Sequence, residues 1–180
     1  HFNSDTSRVH FYEERHSYLR DGFNLDMDGS RRLLWWKAMA GGVGGWHGFY
    51  TFSPHPYPNP EQLRTCRTFW LVNRRFQLGM AEANTLSSDS DTRVLLGSDD
   101  QFVFYRQDAS SIQMDLSAMA EPLPAVAVDA KQEYAETALG VLDPTSQTIS
   151  LPYSSDWAIA VGEFGPTLPT SSRSGWRDYR

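Results

Sequence analysis

At Asn84 the pattern of the chain changes, and that change restricts the available folds more than any other feature. Upstream, strand-like and helix-like stretches alternate. Downstream of the polar run NTLSSDSDT come short alternating segments: TRVLLG, QFVFYRQ, SIQMDL, PAVAVDA, TALGVLD, QTISLP and DWAIAVGE. Turn-forming clusters punctuate them at Ser98-Asp99-Asp100, Asp108-Ala109-Ser110, Asp143-Pro144-Thr145 and Ser154-Ser155-Asp156. Strand side chains alternate between two faces, so several such runs at this spacing predict an antiparallel sandwich or barrel. The fold class expected is therefore α/β plus all-β. The α/β unit takes residues 1–83 and the all-β unit takes 84–165. The Ser-, Thr-, Pro- and Arg-rich tail over 166–180 is expected to be flexible or to belong to a further segment of a longer chain.

Within the first unit, Val9, Phe11 and Tyr12 give β-propensity to a strand over 8–13. Asp26 or Asp28 can N-cap a helix on which Leu33, Trp36, Lys37 and Ala40 follow helical spacing, and Gly41-Gly42 stop it. VGGWHGFYTF is too glycine-rich for a helix and reads as a buried strand that lets a backbone or a ligand come close. After a proline-rich loop, Asn59 reads as an N-cap, with Pro60 at the first helical position and Gln62 completing a capping box. This second helix is expected to run to about Met80, with Leu63, Cys66, Phe69, Trp70, Asn73, Phe76, Gln77 and Met80 on one face. Arg64, Arg67, Arg74 and Arg75 fall on the solvated side. Cys66 is the single cysteine, which excludes an internal disulfide. Two parallel strands cannot bury themselves, so this unit reads as the end of a larger α/β fold.

Several function classes drop out. A net charge of −6 with no basic stripe argues against a nucleic-acid partner. No apolar run is long enough for a membrane-spanning helix. His1, His10, His16, His47 and His55 lack metal-ligand spacing, so no metal is expected. GGVGG lacks the Gly-Lys-Ser/Thr ending of a phosphate loop, and no Gly-x-Ser-x-Gly elbow is present. No cofactor is expected.

What remains is VHFYEERHSY, where Glu13 and Glu14 end a strand and Arg15, His16 and Tyr18 come directly after. Adjacent strand residues point to opposite faces, so one of the two acids can enter a cleft and the other cannot. The residues alone leave two readings open, a catalytic carboxylate or solvated acids paired with Arg15. Trp46 and His47 form a second constellation. An indole offers an apolar face to sugar C–H groups and an N–H at its edge, and glycines beside it let a substrate approach. The plainer reading of Trp46 is a core residue. Trp35 and Trp36 read as packing, and His55 and Tyr57 sit in a loop able to rim a cleft.

The stretch YEERHSYLRDGFNLDMDGSRRLLWWKAMAGGVGGWHGFY, with the proline loop and NPEQLRTCRTFW, resembles the closing units of (β/α)8 glycoside hydrolases. It is most similar to the apiosidase-like families of clan A, in which a small β-sandwich comes after the barrel. The likeness rests on a strand ending Glu-x-Arg-His, a helix with Arg-(x)-x-x-Trp and a Gly-Gly-x-Gly stretch. It covers residues 8–80 by motif and 84–162 by strand pattern.

The resemblance implies a partial (β/α)8 barrel, its last two βα units, with a small antiparallel β-sandwich after it. It implies retaining glycoside hydrolysis, with Glu13 as nucleophile and Glu14 as fallback. Arg15 and His16 match the polar residues beside the nucleophile, and Trp46 matches the aromatic that floors the sugar site. Tyr18 and His47 join them as candidate substrate contacts. Carbohydrate is the implied partner, and an extracellular or periplasmic location is implied. The family's acid/base Glu belongs to a fourth strand upstream of His1, so the chain alone is expected to be inactive. The opening HFNSDTSRVH has neither initiator Met nor signal peptide and reads as cut from a longer chain. The competing expectation is a non-catalytic carbohydrate-binding or structural β-sandwich on a vestigial barrel. Exposed aromatics such as Tyr105, Tyr134 and Tyr153 on one face would favour it.

Overall fold

The computed structural model describes residues 11–12, 26–40, 43–44, 58–73, 75, 80–97 and 100–164. Two short strands, β1 (Phe11–Tyr12) and β2 (Val43–Gly44), pair in parallel, with Phe11 opposite Val43 and Tyr12 opposite Gly44. A parallel pair requires a crossover, and helix α1 (Met27–Met39) lies in it. Asp26 caps the helix, its Oδ1 accepting the Gly29 amide at 2.7 Å. The buried stripe is not the expected series of Leu33, Trp36, Lys37 and Ala40, of which Lys37 alone is buried. It is Arg31, Trp35 and Met39, with Lys37 beside it, while Trp36 is 48% exposed. The spacing misleads because a cation heads the stripe, and apolar periodicity does not register it.

Helix α2 (Pro60–Arg67) begins with Pro60 in its first turn, but Asn59 makes no side-chain cap. Gln62 is buried and bonds elsewhere, so no capping box forms. At Thr68 the helix widens into a π-helical turn, Thr68–Val72, where the Asn73 amide donates to the Thr68 carbonyl at 3.0 Å. A wider turn sets successive residues closer in angle than the roughly 100° of an α-helix. Adjacent Phe69 and Trp70 can therefore both be buried. The helix ends at Val72, short of Met80, with Asn73 at its C-cap and the Asn73 side chain donating to Glu136 at 3.2 Å. Arg64 and Arg67 are exposed as expected, whereas Arg75 is buried. Arg74, Phe76 and Gln77 lie outside the described residues.

The rest of the described chain is one antiparallel sheet. Its strands are β3 (Ala81–Glu82), β4 (Arg93–Leu96), β5 (Phe102–Asp115), β6 (Leu123–Asp129), β7 (Thr137–Leu142) and β8 (Ser146–Val161), in the order β3-β4-β5-β8-β6-β7. Two pairs of expected short strands are fused. QFVFYRQ and SIQMDL form the 14-residue β5, and QTISLP and DWAIAVGE form the 16-residue β8. The clusters at Asp108–Ser110 and Ser154–Asp156 are therefore not turns. They sit at register shifts, one between Arg106 and Ala109 and one between Ala109 and Ser111. Asp108 has φ 48°, and residues that tolerate the left-handed region serve a bulge as readily as a turn. The polar run that starts at Asn84 is tied to the sheet. Ser87 Oγ donates to the Gln113 carbonyl at 2.8 Å, the Ser88 amide donates to Gln113 Oε1 at 2.6 Å, and Asp89 pairs with Arg106 at 2.6 Å.

Strand alternation gives the sheet two apolar faces. Phe102, Phe104, Ile112, Met114, Trp157 and Ile159 belong to one core. Val103, Tyr105, Val128, Ala158 and Ala160 belong to the other, together with Trp35, Met39, Phe69 and Trp70 of the helices. Small residues on the sheet leave volume for the large aromatics of the helices, as close packing requires. Trp35 stacks on Tyr105 at 5.2 Å with an interplanar angle of 5°. It also meets Phe69 at 5.1 Å and Trp70 at 5.8 Å.

Candidate functional site

The residues singled out for chemistry, Glu13, Glu14, Arg15, His16, Tyr18, Trp46 and His47, lie outside the described residues, as do His55 and Tyr57. The frame that carries them in sequence is described. Glu13 is the residue after Tyr12, the last of β1, and Trp46 is the second residue after Gly44, the last of β2. Tyr12 and Gly44 are paired in a parallel register. At this pair the two strands run side by side, pointing the same way.

Between α1 and the sheet lies a buried ionic cluster that no local motif reveals. Asp156 of β8 is fully buried, and two arginines of α1 converge on it. Arg31 Nη2 donates to Asp156 Oδ2 at 2.7 Å. Arg32 donates from Nε to Oδ2 at 3.0 Å and from Nη2 to Oδ1 at 3.1 Å. The Asp108 amide, presented by the bulge, donates to Oδ1 at 3.0 Å. Lys131 Nζ stands 3.5 Å from Oδ1. Asp28 pairs with Arg31 at 2.6 Å, and Asp108 pairs with Arg32 at 2.6 Å and Lys131 at 3.2 Å. Burial alone would raise the Asp156 carboxyl. Hydrogen bonds from Arg32, Arg31 and the Asp108 amide outweigh it and hold the carboxyl at about 2. A carboxylate this strongly held ionised has no proton to give near neutrality. Its arrangement suits holding the helix, not acid–base work.

A second cluster ties α2 to the segment between β6 and β7. Gln62 Nε2 donates to the Lys131 carbonyl at 3.0 Å, and Thr65 Oγ1 donates to the Gln132 carbonyl at 2.7 Å. Arg75 donates to the Tyr134 hydroxyl at 2.7 Å and to Glu136 Oε1 at 2.6 Å, with its guanidinium 4.6 Å from the Phe69 ring centre. Burial would raise Glu136, but hydrogen bonds from Tyr134 and Arg75 lower it overall. Burial pushes the Cys66 thiol up to about 12. Among the described residues, no group of three or more His, Cys, Asp or Glu is placed to hold a metal.

The three tyrosines named for a sugar-binding face part company. Tyr105 is fully buried under Trp35, and Tyr134 is half-buried in the Arg75 cluster. Tyr153 is 50% exposed, with its hydroxyl donating to Asp129 Oδ2 at 2.8 Å and its ring 5.3 Å from Trp157. One signal could have pointed to the missed arginines. An Arg at i with Trp at i+4 and Met at i+8 is a buried stripe whose head is charged, and such a head needs a buried acid.

No protein-family model matches the chain, and no curated protein matches it. Two solved structures are similar in fold. One is a glycoside hydrolase family 5 protein from Bacteroides vulgatus ATCC 8482, with a TM-score of 0.62 at 15% identity, covering 84% of this chain and 40% of that one. The other is described as a glycoside hydrolase, with a TM-score of 0.62 at 13% identity, covering 87% of this chain and 41% of that one. Coverage this high reaches into both halves of the sequence. The chain spans about two fifths of the length of these proteins. It thus shares its fold with part of these two glycoside hydrolases.

Proposed function

We propose that the chain is the C-terminal part of a retaining glycoside hydrolase of the apiosidase-like kind, acting on a plant or microbial polysaccharide or oligosaccharide outside the cell or in the periplasm. In this reading, residues 1–83 close a (β/α)8 barrel with its last two βα units. The six-stranded antiparallel sheet, β3 to β8, is then the appended β domain expected over 84–165 as a sandwich, and 166–180 are a tail. The observation that carries the reading is the parallel pairing of Tyr12 with Gly44. Tyr12 and Gly44 are neighbours on parallel strands, and Glu13 and Trp46 follow them by one and two residues in sequence. Barrel enzymes of this type place catalysis at the carboxyl ends of their strands. The fold likeness to two glycoside hydrolases supports it.

Glu13 would attack the anomeric carbon, and Arg15 would keep it ionised. Trp46 would stack against the sugar, with His16, Tyr18 and His47 donating to its hydroxyls. Retention needs a second carboxyl about 5–5.5 Å away as acid/base. In this reading that group lies on a strand outside these 180 residues, and the 180-residue chain alone does not turn over glycosides. In the longer protein that carries this segment, Glu13→Gln is expected to abolish turnover at an unchanged melting temperature, while Glu14→Gln leaves it active. Wild-type turnover by Glu13→Gln would sink the assignment.

A further inference from the structure

We propose that the antiparallel sheet is an obligate intramolecular dock for α1, and that Asp156 is the positioning residue that sets the helix on it. Three features of the contact carry this. First, the two guanidiniums that meet Asp156 sit on consecutive residues of one helix, and Arg31 is 1% exposed. A buried guanidinium needs an acid partner, and Asp156 is the acid the sheet supplies from within its own face. Second, the partner is pre-set. The Asp108 amide holds Oδ1 at 3.0 Å from a bulge with Asp108 at φ 48°, and the Asp156 carbonyl accepts the Ala130 amide at 2.8 Å. The carboxylate is held by the Asp108 amide of β5 as well as by the helix, and its backbone is held by Ala130, the residue after β6. Third, the charges balance. Arg31, Arg32 and Lys131 face Asp28, Asp108 and Asp156. Removing Asp156 leaves two cations sharing the exposed flank that Asp28 and Asp108 provide.

Apolar contact alone would allow α1 to slide or rotate over the sheet, because the hydrophobic effect has no direction. The forked arginine contacts fix one register, since the guanidinium donors lie in a rigid plane. Trp35, one turn on from Arg31, is thereby brought flat against Tyr105. The sheet on this account holds the helix in place for the rest of the molecule and is not a separately moving attachment. This inference stands independently of the glycosidase reading, because its test measures no turnover.

The experiment is hydrogen exchange on the 180-residue chain. In the wild type, amides of residues 34–39 in α1 should open with the same free energy as those of Ile112 and Met114 in β5. In Asp156→Asn, exchange in α1 should rise at least tenfold relative to Ile112 and Met114. If Asp156→Asn fails to fold, the triple variant Arg31→Met, Arg32→Met, Asp156→Leu should fold again, since it removes the stranded charges along with the acid. The proposal is overturned if α1 protection in Asp156→Asn stays within threefold of wild type. Where Asp156→Asn does not fold, it is equally overturned if the triple variant does not fold either.

Discussion

Asp156 sets how the protein responds to acid. Its carboxyl is lowered from the usual 3.8 to about 2 in the folded chain. A lowered carboxylate stabilises the fold above its unfolded value, and that contribution fades as pH falls through the folded value. The contribution, about 2 kcal/mol, should be intact above about pH 5 and lost between about pH 4 and 2. Asp108 and Glu136 are lowered too and act in the same direction. Urea midpoints measured from pH 6 to 2 should hold level and then drop through that window. A midpoint that does not move between pH 5 and 2.5 would contradict the assignment. The Arg31–Trp35–Met39 spacing hints at a buried cation, but the identity of its acid partner is not legible in the sequence. Arg31 and Arg32 stand 125 and 124 residues from Asp156. The Asp26 cap, by contrast, is legible as one of two choices, because a cap is satisfied within three residues.

At the scale of elements, the β-propensity of the second half is legible in the sequence and its breaks only in part. Turn-forming residues mark any departure from regular strand. Asp143-Pro144-Thr145 does separate strands, while Asp108-Ala109-Ser110 and Ser154-Ser155-Asp156 only bend them, and Ser98 and Asp99 lie outside the described residues. What decides is whether the strand on the far side continues in the same direction, which no local window contains. The helix after Asn59 is legible but its π-helical end is not, since that depends on packing Phe69 and Trp70 together. Gly162, at the end of β8, offers a test of backbone constraint. It has φ 107°, and an added Cβ would lie 2.7 Å from the Asp100 carbonyl oxygen. Gly162→Ala should cost about 2 kcal/mol or more, lowering the melting temperature by about 4–8 °C. Gly140→Ala shares the positive φ, at 81°, but meets nothing within 4 Å, so it should cost about 1 kcal/mol. Equal losses at the two sites would show that the Asp100 contact contributes nothing.

At the scale of the whole molecule, helices and sheet share one of the two cores. Separating residues 84–165 would uncover Leu95, Val103, Tyr105, Val128, Ala158 and Ala160, and would bare Asp156 as well. That piece alone is expected to aggregate or to lose near-ultraviolet circular dichroism, as seen by gel filtration and spectroscopy. A monodisperse, natively packed fragment would make the sheet an autonomous module and would revive the binding-module reading built on Tyr153. The aromatic stack has a further use. Trp35 lies 5.8 Å from Trp70 at a fixed tilt of 56° and lies flat on Tyr105. Indoles held this close in a fixed, chiral arrangement couple their transitions, and the signal disappears once the packing loosens. The protein therefore carries its own chromophore for the docking of helix on sheet, and the state of that contact can be followed by light without attaching a label.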